Sequence, residues 1–328
     1  MATIHLRPAE PDRDFGQLAA FFTIIEDWLN TEQGLRDYYE RGQERMTHAV
    51  AEDDQGEVLG FYWLEQDGLV PGRVHLSLYV RSEQRGQGVG RKLYDAAIGA
   101  LEPAQAKVLR ASVWDNCPEG QAFADHRGFV EIRHQIAMAL DLTAFDDGPY
   151  DAIIARLKSE GFRFTSMGEL GDTEEARRKL YALNDAAARD TLGTEGEPSW
   201  ASFEDFQKRV CQADWYRPDG QMVVIDTAAG GGTGTWAAMS AISRFTDTSR
   251  ADGAAYAYNL FTGVDRGYRG RKLAQAVKVL ALRYARDVLG VDTVRTHHNA
   301  KNLPMIAIDE KLGYVQRPGT YLMEKTLA

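Results

Sequence analysis

The spacing of apolar residues predicts a succession of short strands and amphipathic helices. Strands are indicated where apolar and polar residues alternate, and helices where apolar residues recur every three or four positions, as at Val89, Leu93 and Ala97. In the first half this predicts strands at 4–7, 47–52, 58–64, 73–80, 108–113 and 129–142, and helices at 12–28, 31–41, 88–101 and 119–127. In the second half it predicts strands at 162–166, 222–225, 235–243, 255–264 and 293–297, and helices at 173–187, 203–212, 270–288 and 304–312.

The order of elements in the first half returns in the second, and two short motifs return with it. The repeated motifs are Arg85-Gly86 with Arg269-Gly270, 184 residues apart, and Gly128-Phe129 with Gly313-Tyr314, 185 residues apart. Two landmarks at nearly the same offset predict one fold duplicated in tandem. We therefore expect a first module at 1–142, a linker at 143–159 and a second module at 160–328.

Composition and charge narrow the possible functions. The 328 residues are 44% hydrophobic and 26% charged, as in globular proteins, and the net charge of −10 argues against nucleic acid or an anionic membrane as partner. With Cys117 and Cys211 as its two cysteines, the sequence excludes a disulfide framework and a thiolate metal cluster, and we expect no metal. The N-terminus lacks the apolar core of a signal peptide, and no run approaches about 18 apolar residues, so a cytoplasmic protein is expected.

The turn before the helix at 88–101 carries the first candidate for chemistry, the run Arg85-Gly86-Gln87-Gly88-Val89-Gly90. Glycines permit a sharp turn and close approach of an anion, and the first N–H groups of a helix have no intrahelical partner. Together they form a cradle for phosphate. The spacing is not a P-loop, because no Gly-Lys-Ser/Thr follows, and Arg91 stands where the dinucleotide fingerprint needs Gly or Ala. A glycine-rich turn without a ligand is the alternative.

The pattern Arg85-x-x-Gly88-x-Gly90 after a strand resembles the acetyl-CoA loop of the GNAT superfamily of N-acetyltransferases. The second half resembles the C-terminal module of bacterial tandem GNAT proteins, through Thr262-Gly263-Val264, Tyr268-Arg269-Gly270-Arg271-x-Leu273-Ala274, Asn299-x-x-Asn302-x-x-Met305 and Lys311-Leu312-Gly313-Tyr314. The resemblance implies an α/β fold of two tandem modules, each a mixed, mostly antiparallel sheet flanked by helices. It also implies acetyl-CoA as donor and direct attack of a primary amine on the thioester. The acceptor would be a small molecule or peptide, which the net charge predicts to be cationic.

The resemblance also implies which residues bind acetyl-CoA: main chain at a splayed strand end holds pantetheine, and helix-start amides hold the pyrophosphate. In the first half these residues are Leu78, Tyr79, Val80, Arg85, Gly86, Gln87, Gly88, Val89, Gly90, Arg91 and Asn116. In the second half they are Val264, Arg269, Gly270, Arg271, Lys272, Leu273, Ala274, Asn299 and Asn302. For Asn299 and Asn302, capping of the helix that starts near Pro304 is the alternative.

A base for the incoming amine is the main catalytic requirement. Many family members carry a Tyr as acid four residues before the Gly of the Gly-Phe motif, where this chain has Ala124 and Asp309. A thiol with a pKa near 8.5 ionises at pH 7 for about 2 kcal/mol, whereas an amine with a pKa near 10.4 loses its proton for about 4.6 kcal/mol. We expect His75 to be the base, with a half-buried strand histidine as the alternative. Tyr258 and Asn259, in the comparable place of the second half, offer no evident base.

The loop of the second half departs from that of the first. Lys272 stands where Gly88 stands, and Ala274 where Gly90 stands. A Cβ at position 272 restricts the turn if the turn needs a positive φ, although the lysine side chain could contact phosphate itself. We therefore expect the first half to be the catalytic one and the second to be catalytically weak.

Two other functions compete with acetyl transfer. A non-catalytic acyl-CoA-binding regulator would use the same pocket, and a nucleotide-dependent oxidoreductase is disfavoured by the spacing of both loops. The run Gly232-x-Gly234-x-x-Ala237 is expected to be a hairpin loop, because no acidic residue follows on a second strand. The adjacent His297 and His298 are expected to point to opposite faces of a strand, which disfavours joint binding of a metal.

Overall fold

The computed structural model describes residues 3–26, 31–101, 106–190, 200–230, 234–246 and 254–327. These form two compact units: unit 1 contains the described residues up to Arg133 and from Thr320 onward, and unit 2 contains those from His134 to Gly319. The helices are α1 (Pro11–Glu26), α2 (Glu32–Gly42), α3 (Val89–Gly99), α4 (Pro118–Asp125), α5 (Asp151–Ser159), α6 (Glu174–Arg189), α7 (Phe203–Phe206), α8 (Leu273–Asp287) and α9 (Leu303–Leu312). The strands are β1 (His5–Pro8), β2 (Met46–Glu52), β3 (Val58–Gln66), β4 (Arg73–Val80), β5 (Val108–Trp114), β6 (Val130–Asp141), β7 (Phe162–Ser166), β8 (Gln221–Asp226), β9 (Thr235–Thr246), β10 (Ala255–Val264), β11 (Thr293–Asn299) and β12 (Val315–Thr326).

Unit 1 is built on a sheet with the strand order β1-β2-β3-β4-β5-β12. Neighbouring strands are antiparallel, except that β4 and β5 run parallel. Helix α3 packs on one face of the sheet, where Leu93 meets Leu109 in one apolar cluster. Helices α1 and α2 cover the other face, in a cluster that includes Phe15 and Phe61. The mixed, mostly antiparallel module flanked by helices is confirmed.

Unit 2 repeats this plan with the strand order β6-β11-β10-β9-β8-β7. Here β10 and β11 are the parallel pair, and the other neighbours are antiparallel. Helix α8 packs on one face, with Leu282 and Val294 in its cluster, and α6 packs on the other, with Leu180 and Met239. The duplicated fold expected from the repeated motifs is therefore present.

The compact units differ from the predicted modules, because each unit takes one of its strands from the other half of the chain. In unit 2, residues 135–141 of β6 pair with β11, and in unit 1 residues 320–326 of β12 pair with β5. A Cβ on Gly319 would lie 2.0 Å from the carbonyl oxygen of Gln135, so only glycine fits there. The predicted linker 143–159 also contains α5, whose Leu157 is fully buried.

Several local predictions can be compared with the observed elements. Thr31 caps α2 as expected, with its hydroxyl accepting a hydrogen bond from the amide of Gly34. The helix predicted at 203–212 is α7 followed by a π-helical turn at Gln207–Cys211. The end of the helix predicted at 12–28 lies outside the described residues, as does part of the loop around Gly232. Within the described part of the chain, no helix is long and apolar enough to cross a membrane.

Candidate active site

The parallel strands of unit 1 separate after three residue pairs. Arg73, Val74 and His75 pair with the start of β5, and the register ends there, although β4 continues to Val80. On its other edge β5 stays paired with β12 as far as Trp114, so the separation opens between β4 and β5 alone. Main-chain groups of β4 beyond His75 therefore face a slot between two strands, which suits an extended ligand that carries amide groups.

The residues predicted to line this slot lie along that free part of β4. Leu78 and Val80 pack against the cluster around α3, while Tyr79 packs on the opposite face, with its ring centroid 4.8 Å from that of Phe21. Their side chains fix the strand from both faces. What remains for a ligand in the slot is the main chain.

The phosphate loop of unit 1 has the backbone that a helix-start cradle needs. Gly86 and Gly88 have φ of 75° and 90°, a region that disfavours other residues, and α3 begins directly after Gly88. A Cβ on Gly86 would meet no atom within 4 Å, so open space lies beside the loop, whereas one on Gly90 would lie 3.1 Å from Phe123. The Nε of Arg85 donates to the carbonyl of Val80 over 3.3 Å and ties the loop to the strand end. These residues fit a phosphate group.

The other predicted residues of this loop differ in what they present. Gln87 donates its side-chain amide to the carbonyl of Glu83 over 3.0 Å, which leaves its main chain for a ligand. Val89 is buried in the core and can offer a ligand only its N–H, whereas Arg91 is exposed. Asn116 lies exposed in the turn between β5 and α4.

His75 lies where the pairing of β4 with β5 ends, with its side chain 45% exposed. Its Nε2 is 3.0 Å from a carboxylate oxygen of Asp67, which also accepts from Nε of Arg73 at 2.6 Å. Burial raises the pKa of Asp67, but hydrogen bonds from His75, the Leu69 amide and Arg73 outweigh it and hold that pKa well below its usual range. Asp67 is therefore a permanent carboxylate that orients the imidazole, an arrangement compatible with a base.

The parallel strands of unit 2 separate in the same way. Pairing of β10 with β11 ends at Tyr258 and Arg295, while β10 runs on to Val264. Unlike β4, β10 has a bulge between Asn259 and Phe261, which takes Leu260 out of the regular ladder with β9. Bulges of this kind concentrate next to active sites, because they redirect main-chain groups.

Asn259 holds the bulge in place from the core. Its side-chain nitrogen donates to the hydroxyl of Ser240 and to the carbonyl of Ala241, over 3.0 and 2.8 Å. Across the slot, the hydroxyl of Thr296 on β11 donates to the carbonyl of Asn259 over 3.0 Å. Asn259, which the sequence offered no reason to regard as a base, is thus a structural anchor at the point where the strands separate.

The loop of unit 2 keeps the backbone of the first loop despite its different sequence. Arg269 donates its Nε to the carbonyl of Val264 over 3.3 Å, as Arg85 does at the equivalent position, and Gly270 has φ of 80°. Lys272 takes φ of 68° in the left-handed region, which costs a non-glycine residue about 1–2 kcal/mol. The restriction expected at this position is therefore present as strain, and the turn is retained.

The remaining predicted residues of the second loop are placed as follows. Arg269 also pairs with Asp190 at 2.5 Å, and the guanidinium of Arg271 lies 5.4 Å from the ring centroid of Tyr268. Leu273 is buried, so it offers its N–H alone, and the half-buried Ala274 follows it in the first turn of α8.

The two predicted asparagines after β11 have separate roles. The side chain of the buried Asn299 accepts from the amide of Lys301 over 2.8 Å and closes a turn. Asn302 precedes α9, and its side chain makes no capping hydrogen bond. The alternative of capping is therefore wrong for the side chain of Asn302.

Sequence reasoning missed two histidine contacts in unit 2. The hydroxyl of Tyr258 is hydrogen-bonded to Nδ1 of His297, so an imidazole stands where no base was expected. His298 contacts Asp309 instead, 2.6 Å from its Nε2, and the same carboxylate pairs with Lys278. The two histidines point to different partners, as their adjacency predicted. Because they were considered only as metal ligands, their contacts with Tyr258 and Asp309 were not predicted.

Comparison with known proteins relates this chain to acetyltransferases. Residues 15–129 match the model of the acetyltransferase (GNAT) family. A mycothiol acetyltransferase of Beutenbergia cavernae is 28% identical over 274 residues, which cover 82% of this chain and 80% of that protein. Both matches support acetyl transfer, since each is to an acetyltransferase.

Solved structures share the fold over the whole chain. A tandem GNAT protein from the clavulanic acid biosynthesis pathway superposes with a TM-score of 0.69 at 20% identity, covering 99% of this chain and 98% of the other. A GCN5-related glucosamine N-acetyltransferase region in a fungal multi-domain GH3 beta-N-acetylglucosaminidase gives 0.70 at 19% identity, covering 99% of this chain and 38% of that longer one. Residues 15–129 thus match the GNAT acetyltransferase family, and the chain as a whole shares the fold of tandem GNAT proteins.

Proposed function

We propose that the protein transfers the acetyl group of acetyl-CoA to a primary amine by direct attack of the amine on the thioester. One observation carries this proposal: in each unit a parallel strand pair separates, and a loop with left-handed residues at a helix start follows the first of the two strands. A slot lined by main chain, ending in a phosphate cradle, suits a long ligand with amide groups at one end and a pyrophosphate at the other.

In unit 1 we assign the roles from the residues that line this arrangement. Main chain from Leu78 to Val80 would align the thioester arm, and the amides from Gly86 to Gly90 would bind the pyrophosphate. His75, oriented by Asp67, would take the proton of the attacking amine, the step that requires about 4.6 kcal/mol at pH 7.

The expectation that unit 2 is catalytically weak loses its grounds in the structure. It depended on Lys272 disturbing the loop and on the lack of a base near Tyr258. The loop keeps its shape, and an imidazole contacts Tyr258. We therefore propose that both units bind acetyl-CoA and that chemistry is not confined to unit 1.

For the acceptor we propose a small cationic amine or a peptide amine. The net charge of −10 raises the local concentration of cations at the surface. The relatives named mycothiol acetyltransferase support a small-molecule acceptor, so the substrate of those enzymes belongs in any panel together with polyamines, amino sugars and peptides.

The test is thiol release from acetyl-CoA, followed with a thiol reagent, across this panel of amines. Turnover that depends on one amine, with the acetylated amine as product, supports the proposal. CoA binding by calorimetry without turnover on any amine would favour the acyl-CoA-binding regulator instead. Retention on immobilised NAD but not on immobilised CoA would favour the oxidoreductase.

A further inference from the structure

Three titratable side chains form a buried cluster in unit 2 that the proposed reaction has not used. Lys278 on α8 and Asp309 on α9 are both fully buried, and the ammonium pairs with one carboxylate oxygen. The other carboxylate oxygen is 2.6 Å from Nε2 of His298, whose side chain is 10% exposed. One carboxylate thus joins a lysine to an imidazole at the edge of the core.

A buried cluster of charged groups contributes little to the stability of a core. Removing a charge from water costs several kcal/mol per ion, and apolar residues of similar volume are often as stable or more so. Burial lowers the pKa of Lys278 while the neighbouring carboxylate opposes it, which is the competition expected of an ion pair in the interior. The cluster therefore calls for an explanation other than stability.

The place of His298 in the fold supplies one. It lies three residues beyond Arg295, the last residue of β11 paired with β10, and thus inside the slot. Side chains alternate along a strand, so His298 shares the face of Thr296, the residue that bridges to Asn259 at the start of the slot. Helix α8, which carries Lys278, also begins at the phosphate loop of unit 2.

The orientation of the ring is set by Asp309. The carboxylate of Asp309 is hydrogen-bonded to Nε2 of His298. Among the described residues, no hydrogen bond uses Nδ1 of the same ring. A carboxylate on one ring nitrogen fixes the tautomer and leaves the other nitrogen to exchange a proton with a ligand. Lys278 in turn pairs with the carboxylate and holds it in place.

We propose that His298, held by Asp309 and Lys278, is the proton donor to the CoA thiolate that leaves in unit 2. The inference rests on the proposed acetyl transfer. The amine nitrogen forms the new C–N bond, the C–S bond breaks, and its electron pair goes to sulfur. The sulfur takes the proton of His298 Nδ1, the amine's surplus proton passes to a base or to water, and His298 regains a proton from solvent.

Within the described part of the chain, other titratable groups lie on the elements next to His298 and next to its ion-paired partners. On the neighbouring strand β6, His298 pairs with Ile136, and His134 lies two residues before it on the same face. Tyr314, after α9, places its ring 4.9 Å from the ammonium of Lys278. The neighbouring residues of β10, Asn259 and Thr262, are uncharged. Asp309 is therefore the carboxylate that contacts His298 directly.

The experiment uses CoA itself as the probe, bound to the full-length protein. Thiolate formation is followed by its ultraviolet absorbance as the pH is raised, with saturation of binding verified by calorimetry. An imidazolium beside the sulfur stabilises the thiolate, so we expect part of the bound CoA to ionise about one pH unit below the free thiol's value near 8.5. In His298→Gln the pKa of this bound thiol should return toward that of free CoA. The thiolate fraction at pH 7 in the affected sites should then be roughly tenfold smaller than in the wild type.

His126→Gln provides the matched control, because His126 is an exposed histidine at the end of α4. It should titrate like the wild type. A thiolate titration in His298→Gln that matches the wild type, with CoA still bound, overturns the inference and leaves acetyl transfer intact. Absence of CoA binding and of amine-dependent turnover in the wild type would instead refute the proposed function.

A second pair of variants keeps the test decisive if His298→Gln does not fold. Gly270→Glu places a negative charge in the second phosphate loop, and Gly88→Glu does the same in the first. The thiolate that forms at lower pH should disappear in Gly270→Glu and persist in Gly88→Glu. The opposite pattern would assign the perturbed thiol to unit 1 and overturn the inference.

Discussion

Lys272 has the left-handed backbone conformation that Gly88 has at the equivalent position of the other unit, with φ of 68° against 90°. The two loops share this shape although one residue is glycine and the other carries a long cationic side chain. A non-glycine residue costs about 1–2 kcal/mol in this region. The loop of unit 2 therefore stores strain, and its lysine places an ammonium group at the helix start, where an anion binds most favourably.

Lys272→Gly should consequently stabilise the protein and weaken CoA binding. Relief of the strain exceeds the extra freedom that glycine gains in the unfolded chain, for a net stabilisation of about 0.5–1 kcal/mol. The measurement is urea unfolding followed by circular dichroism, with CoA affinity determined by calorimetry. Arg271→Gly is the control, since Arg271 has no positive φ and glycine there should destabilise. A destabilised Lys272→Gly would show that the turn is not strained.

The sequence predicted the parts of this fold that depend on local rules. The repeated Arg-Gly turns were identifiable because a glycine with positive φ, such as Gly86 or Gly270, is required by the backbone itself. At Lys272 the alignment with Gly88 indicated only that a positive φ would restrict the turn, because nothing in a lysine itself marks that conformation. The alternation in 129–142 predicted a strand but not its partner, since β-pairing is decided by tertiary packing.

The contacts within the candidate site depend on pairs that are distant in sequence. Tyr258 meets His297 across 39 positions, and Lys278 meets Asp309 across 31. Asp309 was noticed only as a replacement for an aromatic residue. That its carboxylate joins Lys278 to His298 follows from the packing of α8 and α9 against β11, and no single-sequence pattern encodes this packing.

Tyr314→Phe should leave the protein as stable as the wild type or more so. The phenolic oxygen is buried and has no hydrogen-bond partner among the described residues, and burial raises the pKa of Tyr314 far above its usual value. Removing an unsatisfied buried hydroxyl avoids its desolvation penalty, about 1 kcal/mol or more. Tyr216→Phe is the matched comparison, because the hydroxyl of Tyr216 donates to Asp172 over 2.8 Å, and it should lose about 1–2 kcal/mol. Thermal unfolding of both variants checks the difference in sign.

Asp67 should make unit 1 sensitive to acid. Its folded pKa is depressed, so the unfolded chain binds more protons, and stability falls as the pH drops below the unfolded value of about 4. At pH 7 the Asp67→Asn variant should be about 1–2 kcal/mol less stable than the wild type, because charge-assisted bonds to Arg73 and His75 are lost. The gap should narrow steadily below pH 4 in denaturant titrations. A gap independent of pH would mean that the carboxylate charge does not matter.

The number of CoA molecules bound per chain tests whether both loops function. Gly88→Glu and Gly270→Glu each combine an unfavourable positive φ with a negative charge at a predicted phosphate position, so each should weaken one site by about 100-fold or more. Calorimetry should give two CoA molecules bound to the wild type and one to each variant.

Gly99→Glu adds the same charge at the exposed end of α3, where a Cβ would meet no atom within 4 Å, and this variant should bind two CoA molecules.

With an active amine known, the same variants locate turnover. Loss in Gly88→Glu alone would place catalysis in unit 1 with His75, and loss in Gly270→Glu alone would place it in unit 2. Partial loss in both is the result we expect, because each unit joins a separated strand pair to a left-handed loop and an imidazole.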